Sequence, residues 1–199
     1  MVIELPELLL PDAGAWRWWL VAHHADAPGV RLVLHKKGGT VTGLTYALAL
    51  DEALCVGWID GQIGRRDEGS FVQRFTPRRP RSPWSVRNRE HVARLAGEGR
   101  MLPAGRAAVE AARADGRWDA AYAGPATITV PADLAAAVAA DPAAQAMWDV
   151  LTSTNRYAVL WRLTQLKRAD TRTRRIAEFV AMLARGETIH PQKVQRPPA

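Results

Sequence analysis

The sequence predicts an α+β fold: a small sheet of antiparallel type packed with helices, followed by a C-terminal helical bundle. Strand-like alternation is confined to the first half of the chain, whereas apolar residues at helical spacing dominate after residue 131. Nearly half of the 199 residues are apolar, which is enough for a packed core. We therefore predict an α+β domain over 1–125, a three-helix domain over 126–187 and a flexible tail over 188–199.

The first domain is predicted to begin with alternating helices and strands. Asp12 is a suitable N-cap for a first helix. The inward face of that helix is expected to carry Trp16, Trp19, Leu20 and His23. Residues 30–36 have the composition and alternation of a strand, and Thr45 is a suitable N-cap for a second helix over 46–56.

A hairpin and two helices are predicted to complete the first domain. Residues 61–67 and 70–75 are extended runs joined by a Glu-Gly pair, which fits a hairpin. Ser82 precedes a proline, and proline at the first helical position has no N–H donor to leave unsatisfied. We therefore expect one helix over 82–96 and another over 103–115.

The C-terminal domain is marked by clear helix start and stop residues. Asp141 precedes a proline and is expected to cap one helix, and Ser153 or Thr154 is expected to cap the next. Asp170 is the expected cap of the last helix, which Gly186 ends. These signals predict a small bundle of three helices.

The net charge of +7 comes almost entirely from arginine, since only four of the 27 basic residues are lysines. Residues 61–106 and 156–185 are basic, whereas 1–60 and 107–155 are acidic. Arginine is favoured where bidentate contacts to phosphate or carboxylate are useful. An alanine- and arginine-rich genome would give the same excess, so both explanations stay open.

Several classes of protein are disfavoured by the composition. The single cysteine, Cys55, excludes an intramolecular disulfide framework and a cysteine-based zinc finger, and we expect its thiol to be buried. His23, His24 and His35 lack the spacing of a metal site, so we predict no metal and no cofactor. The N-terminus has no signal-peptide pattern and no apolar run is long enough to span a bilayer, so we expect a cytoplasmic protein.

Five strings, in order, cover about two-thirds of the chain. They are ALCVGWIDGQ (53–62), RFTPRRPRSPWSVRNR (74–89), GRMLPAGRAAVEAARADGRWDAAY (99–122), NRYAVLWRL (155–163) and TRTRRIAEFVAMLARGE (171–187). In these strings the chain resembles the bacterial YdeI/OmpD-associated "bacteriocin-protection" family. The resemblance implies a role in resistance to bacteriocins or cationic antimicrobial peptides, but no catalytic residues. The chain departs from the family pattern at Ala47 and Leu48, positions at which members of the family often carry acidic residues.

The string GWIDG is the first candidate site. Trp58 and Asp60 are predicted to lie where a helix ends and a glycine-flanked turn begins. In such a turn Asp60 is able to orient an arginine side chain or act as a base. The alternative is structural: Asp60 caps the turn with its own carboxylate, and Trp58 belongs to the core.

The arginine-rich loop that follows is the second candidate site. It leads into a helix N-terminus, which attracts anions, and arginine side chains beside free backbone N–H groups suit a phosphate or carboxylate. The candidate ligand-binding residues of both sites are Trp58, Asp60, Arg74, Arg78, Arg79, Ser82, Trp84 and Asn88. The alternative is that these arginines pair with the acidic residues of 1–60.

A third candidate is a basic face on the last helix, formed by Arg168, Arg172 and Arg175. The nearby basic residues are Arg156, Arg162 and Lys167. Such a face is able to neutralise nucleic-acid phosphates, but it lacks interleaved aromatic residues and any recognisable nucleic-acid-binding motif. A solvated basic face is the favoured interpretation.

Three functions therefore stay open. The first is that of a resistance factor that acts by binding a partner. The second is nucleic-acid binding, and the third is binding of a small anion or nucleotide in a pocket. The motifs of hydrolases, P-loop proteins and dinucleotide-binding enzymes are missing, which favours a non-enzymatic role. Direct capture of cationic peptides is disfavoured, since the chain is itself cationic. The oligomeric state is not indicated.

Overall fold

The computed structural model describes residues 4–125, 127–166 and 168–193. The chain forms two compact units, Met1–Ala121 and Tyr122–Ala199, which we call unit 1 and unit 2. Each unit has its own hydrophobic core. In the described residues no helix combines the length and the apolar character that crossing a membrane requires.

Unit 1 combines a four-stranded sheet with helices, so the α+β prediction is confirmed. Its elements are β1 (Glu7–Leu8), α1 (Ala13–His23), β2 (Val30–His35), α2 (Tyr46–Cys55), β3 (Trp58–Arg65), β4 (Ser70–Pro77), α3 (Val86–Gly97) and α4 (Pro103–Ala114). The sheet order is β1-β2-β4-β3, and the β3–β4 hairpin and the β2–β4 pair are antiparallel. The sheet is mixed rather than purely antiparallel because the short β1 pairs with β2 in parallel.

The predicted caps of the first two helices are confirmed. The Asp12 carboxylate accepts from the backbone N–H of Ala15, and the Thr45 hydroxyl accepts from that of Leu48. Both helices pack into the core of unit 1, where the Trp16 indole N–H donates to the carbonyl of Ala49. These bonds satisfy groups at helix ends and in the core that burial would otherwise leave unpaired.

Two local predictions in unit 1 are wrong. Trp58 and Asp60 do not lie in a turn, because two residues, Val56 and Gly57, take the chain from α2 into β3, with Gly57 at a φ of +77°. The third helix does not start at Ser82: the Ser85 hydroxyl accepts from the N–H of Asn88 and caps a helix that begins at Val86. Ser82 instead accepts from the backbone N–H of Arg79 and closes a tight loop.

Unit 2 contains four helices among its described residues, one more than predicted. They are α5 (Ala132–Ala139), α6 (Pro142–Asp149), α7 (Ser153–Thr164) and α8 (Ala169–Ala184). The short α5 was not predicted because its eight residues are mostly alanine, which gives little apolar periodicity. One face of the helix is nevertheless buried through Leu134 and Val138. The cap at Asp141 is confirmed, whereas Thr152 caps α7 one residue earlier than predicted. The last helix begins one residue before Asp170, so that carboxylate lies in its first turn.

The segment after α8 is held to unit 2 by a buried amide. The Asn155 side chain is fully buried, accepts from the N–H of His190 and donates to the carbonyl of that residue and to the Gln192 side chain. The first residues of the predicted flexible tail are therefore anchored by hydrogen bonds. Residues 194–199 of that tail lie outside the described residues.

Candidate functional site

Trp58 and Asp60 belong to the packed face of the sheet. Trp58 is buried, and its indole N–H donates to the carbonyl of His24 at 3.1 Å. The Asp60 carboxylate accepts from the Tyr46 hydroxyl at 2.9 Å, which ties β3 to the start of α2. Both residues thus have structural contacts within unit 1.

Arg74 lies on the opposite face of the sheet from Asp60. Asp60 is paired with Phe75, a core residue, and neighbouring residues of a strand point to opposite faces. A Cβ atom built at Gly61 would lie 3.4 Å from the Arg74 side chain, which confirms that Arg74 extends over the other face. The structure therefore does not bring Asp60 and Arg74 together.

The arginine-rich loop is anchored by an arginine stacked on a tryptophan. The Arg78 guanidinium carbon lies 3.6 Å from the centroid of the buried Trp84 ring, and its Nη1 donates to the carbonyl of Pro83. Trp84 in turn meets Trp118 edge to face, with 4.9 Å between the ring centroids. This stack fixes the position of the loop between β4 and α3.

A cleft of about 280 Å³ opens beside this stack, and we call it the guanidinium cleft. Its lining residues are Arg78, Arg79, Pro80, Ala108, Ala111, Asp115 and Arg117. Arg117 donates to both oxygens of Asp115 and, through Nη1, to the carbonyl of Ser82. Sequence reasoning missed Arg117 because it lies beyond α4, far from the loop along the chain.

The predicted ligand-binding residues therefore divide into two groups. Arg78 and Arg79 line the guanidinium cleft, Trp84 supports it through the stack, and the Ser82 carbonyl holds Arg117. Asn88 lies in the first turn of α3, where its backbone N–H donates to the Ser85 hydroxyl that caps the helix. Trp58, Asp60, Arg74 and Asn88 are not among the residues that line the cleft.

A network of charged residues holds α2 against the elements around it. Glu52 has 8 % of its side chain exposed and bonds Arg17 at 2.7 Å and Arg100 at 2.6 Å. The neighbouring Asp51 lies 2.6 Å from Arg94 and 2.9 Å from His91. Acidic residues of segment 1–60 therefore pair with arginines, but Arg17, Arg94 and Arg100 lie outside the loop for which that pairing was predicted.

Asp51 should make the stability of unit 1 sensitive to acid. Burial alone would raise the pKa of Asp51, but hydrogen bonds from Arg94 and His91 outweigh it and hold that pKa below the ordinary aspartate value. The pKa of an aspartate in the unfolded chain is about 4. The stabilisation by the Asp51 carboxylate is therefore fully present above about pH 4 and is lost as the pH falls through the lower pKa of the folded protein.

We expect the difference in unfolding free energy between the wild type and Asp51→Asn to be largest near neutral pH and to shrink below about pH 4. Urea titrations at a series of pH values measure it. Comparing the two proteins cancels the contributions of the other carboxylates. If the difference in unfolding free energy between the two proteins stayed constant from about pH 6 to about pH 2.5, the Asp51 carboxylate would not be the source of the acid sensitivity.

Comparison with known families divides the chain as the structure does. Residues 8–108 match a domain of unknown function, DUF8412, and residues 127–186 match the family described as Bacteriocin-protection, YdeI or OmpD-Associated. The chain belongs to the DUF8412 family and carries a YdeI/OmpD-associated domain. The predicted resemblance is confirmed in unit 2, whereas the strings at 53–62 and 74–89 lie in the DUF8412 domain. No curated protein and no solved structure matches the chain.

The predicted basic face of the YdeI/OmpD-associated domain is largely ion-paired. Arg172 forms a bidentate pair with Asp133, which joins α8 to α5 and holds the pKa of Asp133 below its usual value. Arg168 pairs with Asp170 and Arg175 with Glu178. Lys167, the neighbouring lysine of the prediction, lies outside the described residues. This pairing reduces the positive charge that the face presents to nucleic-acid phosphates.

Proposed function

We propose that the chain acts in bacteriocin protection by binding a small anionic ligand in the guanidinium cleft of unit 1. The observation that carries the proposal is the convergence of Arg78, Arg79 and Arg117 on one cleft whose lining includes a single carboxylate, that of Asp115. Three arginines and one aspartate among the lining residues give the cleft an excess of positive charge. A phosphate or carboxylate ligand would neutralise that excess.

The local geometry supports recognition of an oxyanion. Arg78 and Arg117 are held by contacts to Trp84, Pro83 and Ser82, so little side-chain entropy would be lost on binding. Arg79 is exposed, and its backbone N–H is fixed by the Ser82 hydroxyl. Two supported arginines and one adaptable arginine form a ligand cleft that is mostly preformed.

An indirect role in protection follows from the charge of the chain. A protein with a net charge of +7 repels cationic peptides, so sequestering them is a poor mechanism for it. Binding an anionic metabolite or signal is compatible with that charge. In this proposal the ligand, rather than the bacteriocin, is the immediate partner.

The proposal is tested by thermal unfolding in the presence of phosphate, pyrophosphate, citrate and nucleotides. A ligand at a hundredfold excess over its Kd stabilises by about 2.7 kcal/mol, which should raise the Tm by roughly 5–10 °C. Arg79→Ala should abolish the shift without harming the fold, since the structure shows Arg79 exposed. Arg81→Ala is the matched control, because it removes the same charge two residues away, outside the cleft.

Either of two results would refute the binding site: a flat Tm across the anion panel, or an equal shift in Arg79→Ala and Arg81→Ala. The biological part is tested separately by deleting the gene and measuring bacteriocin sensitivity. Complementation with Arg81→Ala should restore protection, whereas complementation with Arg79→Ala should not. Restoration by both variants would separate the cleft from the resistance role.

A further inference from the structure

Helices α3 and α4 leave a groove between them that ends at Trp118, and we call it the α3–α4 groove. It encloses about 220 Å³. Its floor is formed by the buried side chains of Val92, Met101, Val109 and Trp118, and exposed alanines of α3 form one wall. The floor and this wall are therefore apolar and the groove is open to solvent, which is the character of a ligand site rather than of a packed core.

One end of the groove carries two arginines. A second cavity of about 420 Å³ shares Ala93, Arg113 and Trp118 with the groove and is also bounded by Arg89 and Glu90. The guanidinium carbons of Arg89 and Arg113 lie 5.3 and 5.2 Å from the centroid of the Trp118 ring. The Trp118 ring thus makes cation–π contacts with both guanidinium groups at one end of the α3–α4 groove.

These two arginines differ from those that hold α2 against its neighbours. The arginines of the α2 network and Arg117 are paired with carboxylates. Within the described part of the chain, neither Arg89 nor Arg113 forms a salt bridge, and Glu90 beside them lies beyond salt-bridge distance. Two guanidinium groups and one carboxylate leave a single positive charge at this end of the groove.

We propose that the α3–α4 groove binds a single-chain aliphatic carboxylate, with the carboxylate between Arg89 and Arg113 and the chain along Val92, Met101 and Val109. The single excess charge matches a monoanion better than a dianionic phosphate ester. Arg106 and Glu110, which also line the groove, carry charges of opposite sign and leave this excess of one positive charge unchanged. This site shares no lining residue with the guanidinium cleft and does not depend on the proposed function.

The first test is isothermal titration of the full chain with hexanoate, octanoate and decanoate below their aggregation concentrations. Affinity should rise roughly fourfold for each methylene added until the groove is filled. Acetate, which has the acidic group alone, should not bind measurably, and decyltrimethylammonium, which has the chain with the opposite charge, should not bind either. Affinity that does not depend on chain length would overturn the proposal.

Variants separate the two parts of the site. Arg113→Ala should weaken decanoate binding by about tenfold or more, because it removes a charge-assisted contact. Ala96→Trp should fill the groove and abolish the dependence on chain length while leaving the circular dichroism spectrum unchanged, since Ala96 is exposed. Arg81→Ala and Arg79→Ala should bind decanoate as the wild type does.

Three outcomes would each overturn the assignment. Tighter binding of decyl phosphate than of decanoate would contradict the preference for a monoanion. Unchanged decanoate binding in both Arg113→Ala and Ala96→Trp would place the ligand elsewhere. Binding of an acidic amphipathic peptide in the absence of any decanoate binding would make the groove a protein-docking surface. Because Arg79→Ala tests only the guanidinium cleft, failure of one site is distinguishable from failure of the other.

Discussion

Replacing Gly105 with alanine should destabilise unit 1 by about 1–3 kcal/mol, although alanine is the better helix former. Gly105 lies in the first turn of α4, where a Cβ atom would come 2.2 Å from the carbonyl oxygen of Cys55 and 3.0 Å from that of Leu54. Both oxygens belong to the backbone at the end of α2 and cannot turn aside as a flexible side chain would. The two helices would have to separate.

The expected gain in helix propensity is about 1 kcal/mol at most, which is smaller than the cost of that separation. The C-terminal turn of α2 is also fixed by other bonds, since the Cys55 carbonyl accepts from the N–H of Leu102. Moving α4 would displace Val109, Arg113 and Asp115 together. Gly105→Ala should therefore weaken ligand binding at both proposed sites of unit 1 as well as its stability.

Urea unfolding of Gly105→Ala and Gly97→Ala provides the comparison. Gly97 is the last residue of α3, its φ is not positive, and no atom of the described residues lies within 4 Å of a Cβ built there. The same substitution should leave stability unchanged or raise it by up to about 1 kcal/mol. Equal effects at the two positions would show that α4 does not approach α2 as closely as the structure has it.

Local signals made much of unit 1 predictable. Asp12 and Thr45 are caps that act within three residues of themselves, and the Glu-Gly pair specifies a hairpin without help from distant residues. The failure at Ser82 has a physical reason as well. Ser82 and Ser85 are equally good caps locally, and burial of Trp84 keeps the intervening residues out of the helix, so Ser85 becomes the cap.

The candidate sites depend on contacts that a sequence does not display. Arg117 reaches the carbonyl of Ser82 across 35 residues, and Trp118 meets Trp84 across a similar separation. The sequence groups Asp60 with Arg74 wrongly because strand register, which pairs Asp60 with Phe75 and puts Arg74 on the other face, is set by contacts between strands. The arginine-rich loop itself was found from sequence because its residues are consecutive.

Glu52→Gln should be the most damaging single change of charge in unit 1, with an expected loss of about 2–4 kcal/mol. Both oxygens of this buried carboxylate are engaged, one by Arg17 and the other by Arg100. A glutamine of the same shape presents an NH₂ group to one of the two guanidiniums, so one cation loses its partner and meets a donor instead. The loss stays below that of a fully buried pair because roughly a third of each arginine side chain is exposed.

Glu98→Gln makes the same chemical change at a carboxylate that also pairs with two arginines, one of them Arg100, and serves as the matched control. Glu98 contacts Arg94 and Arg100, but 40 % of its side chain is exposed, so water replaces its bonds and little stability should be lost. Urea unfolding gives the free energies, and hydrogen exchange by mass spectrometry should locate the Glu52→Gln effect in α2 and α1. If the two variants lost equal stability, burial of Glu52 would not be what makes its pairs strong. The network would then act as a set of surface ion pairs, and α2 would be held to α1 by apolar packing and the Trp16–Ala49 hydrogen bond.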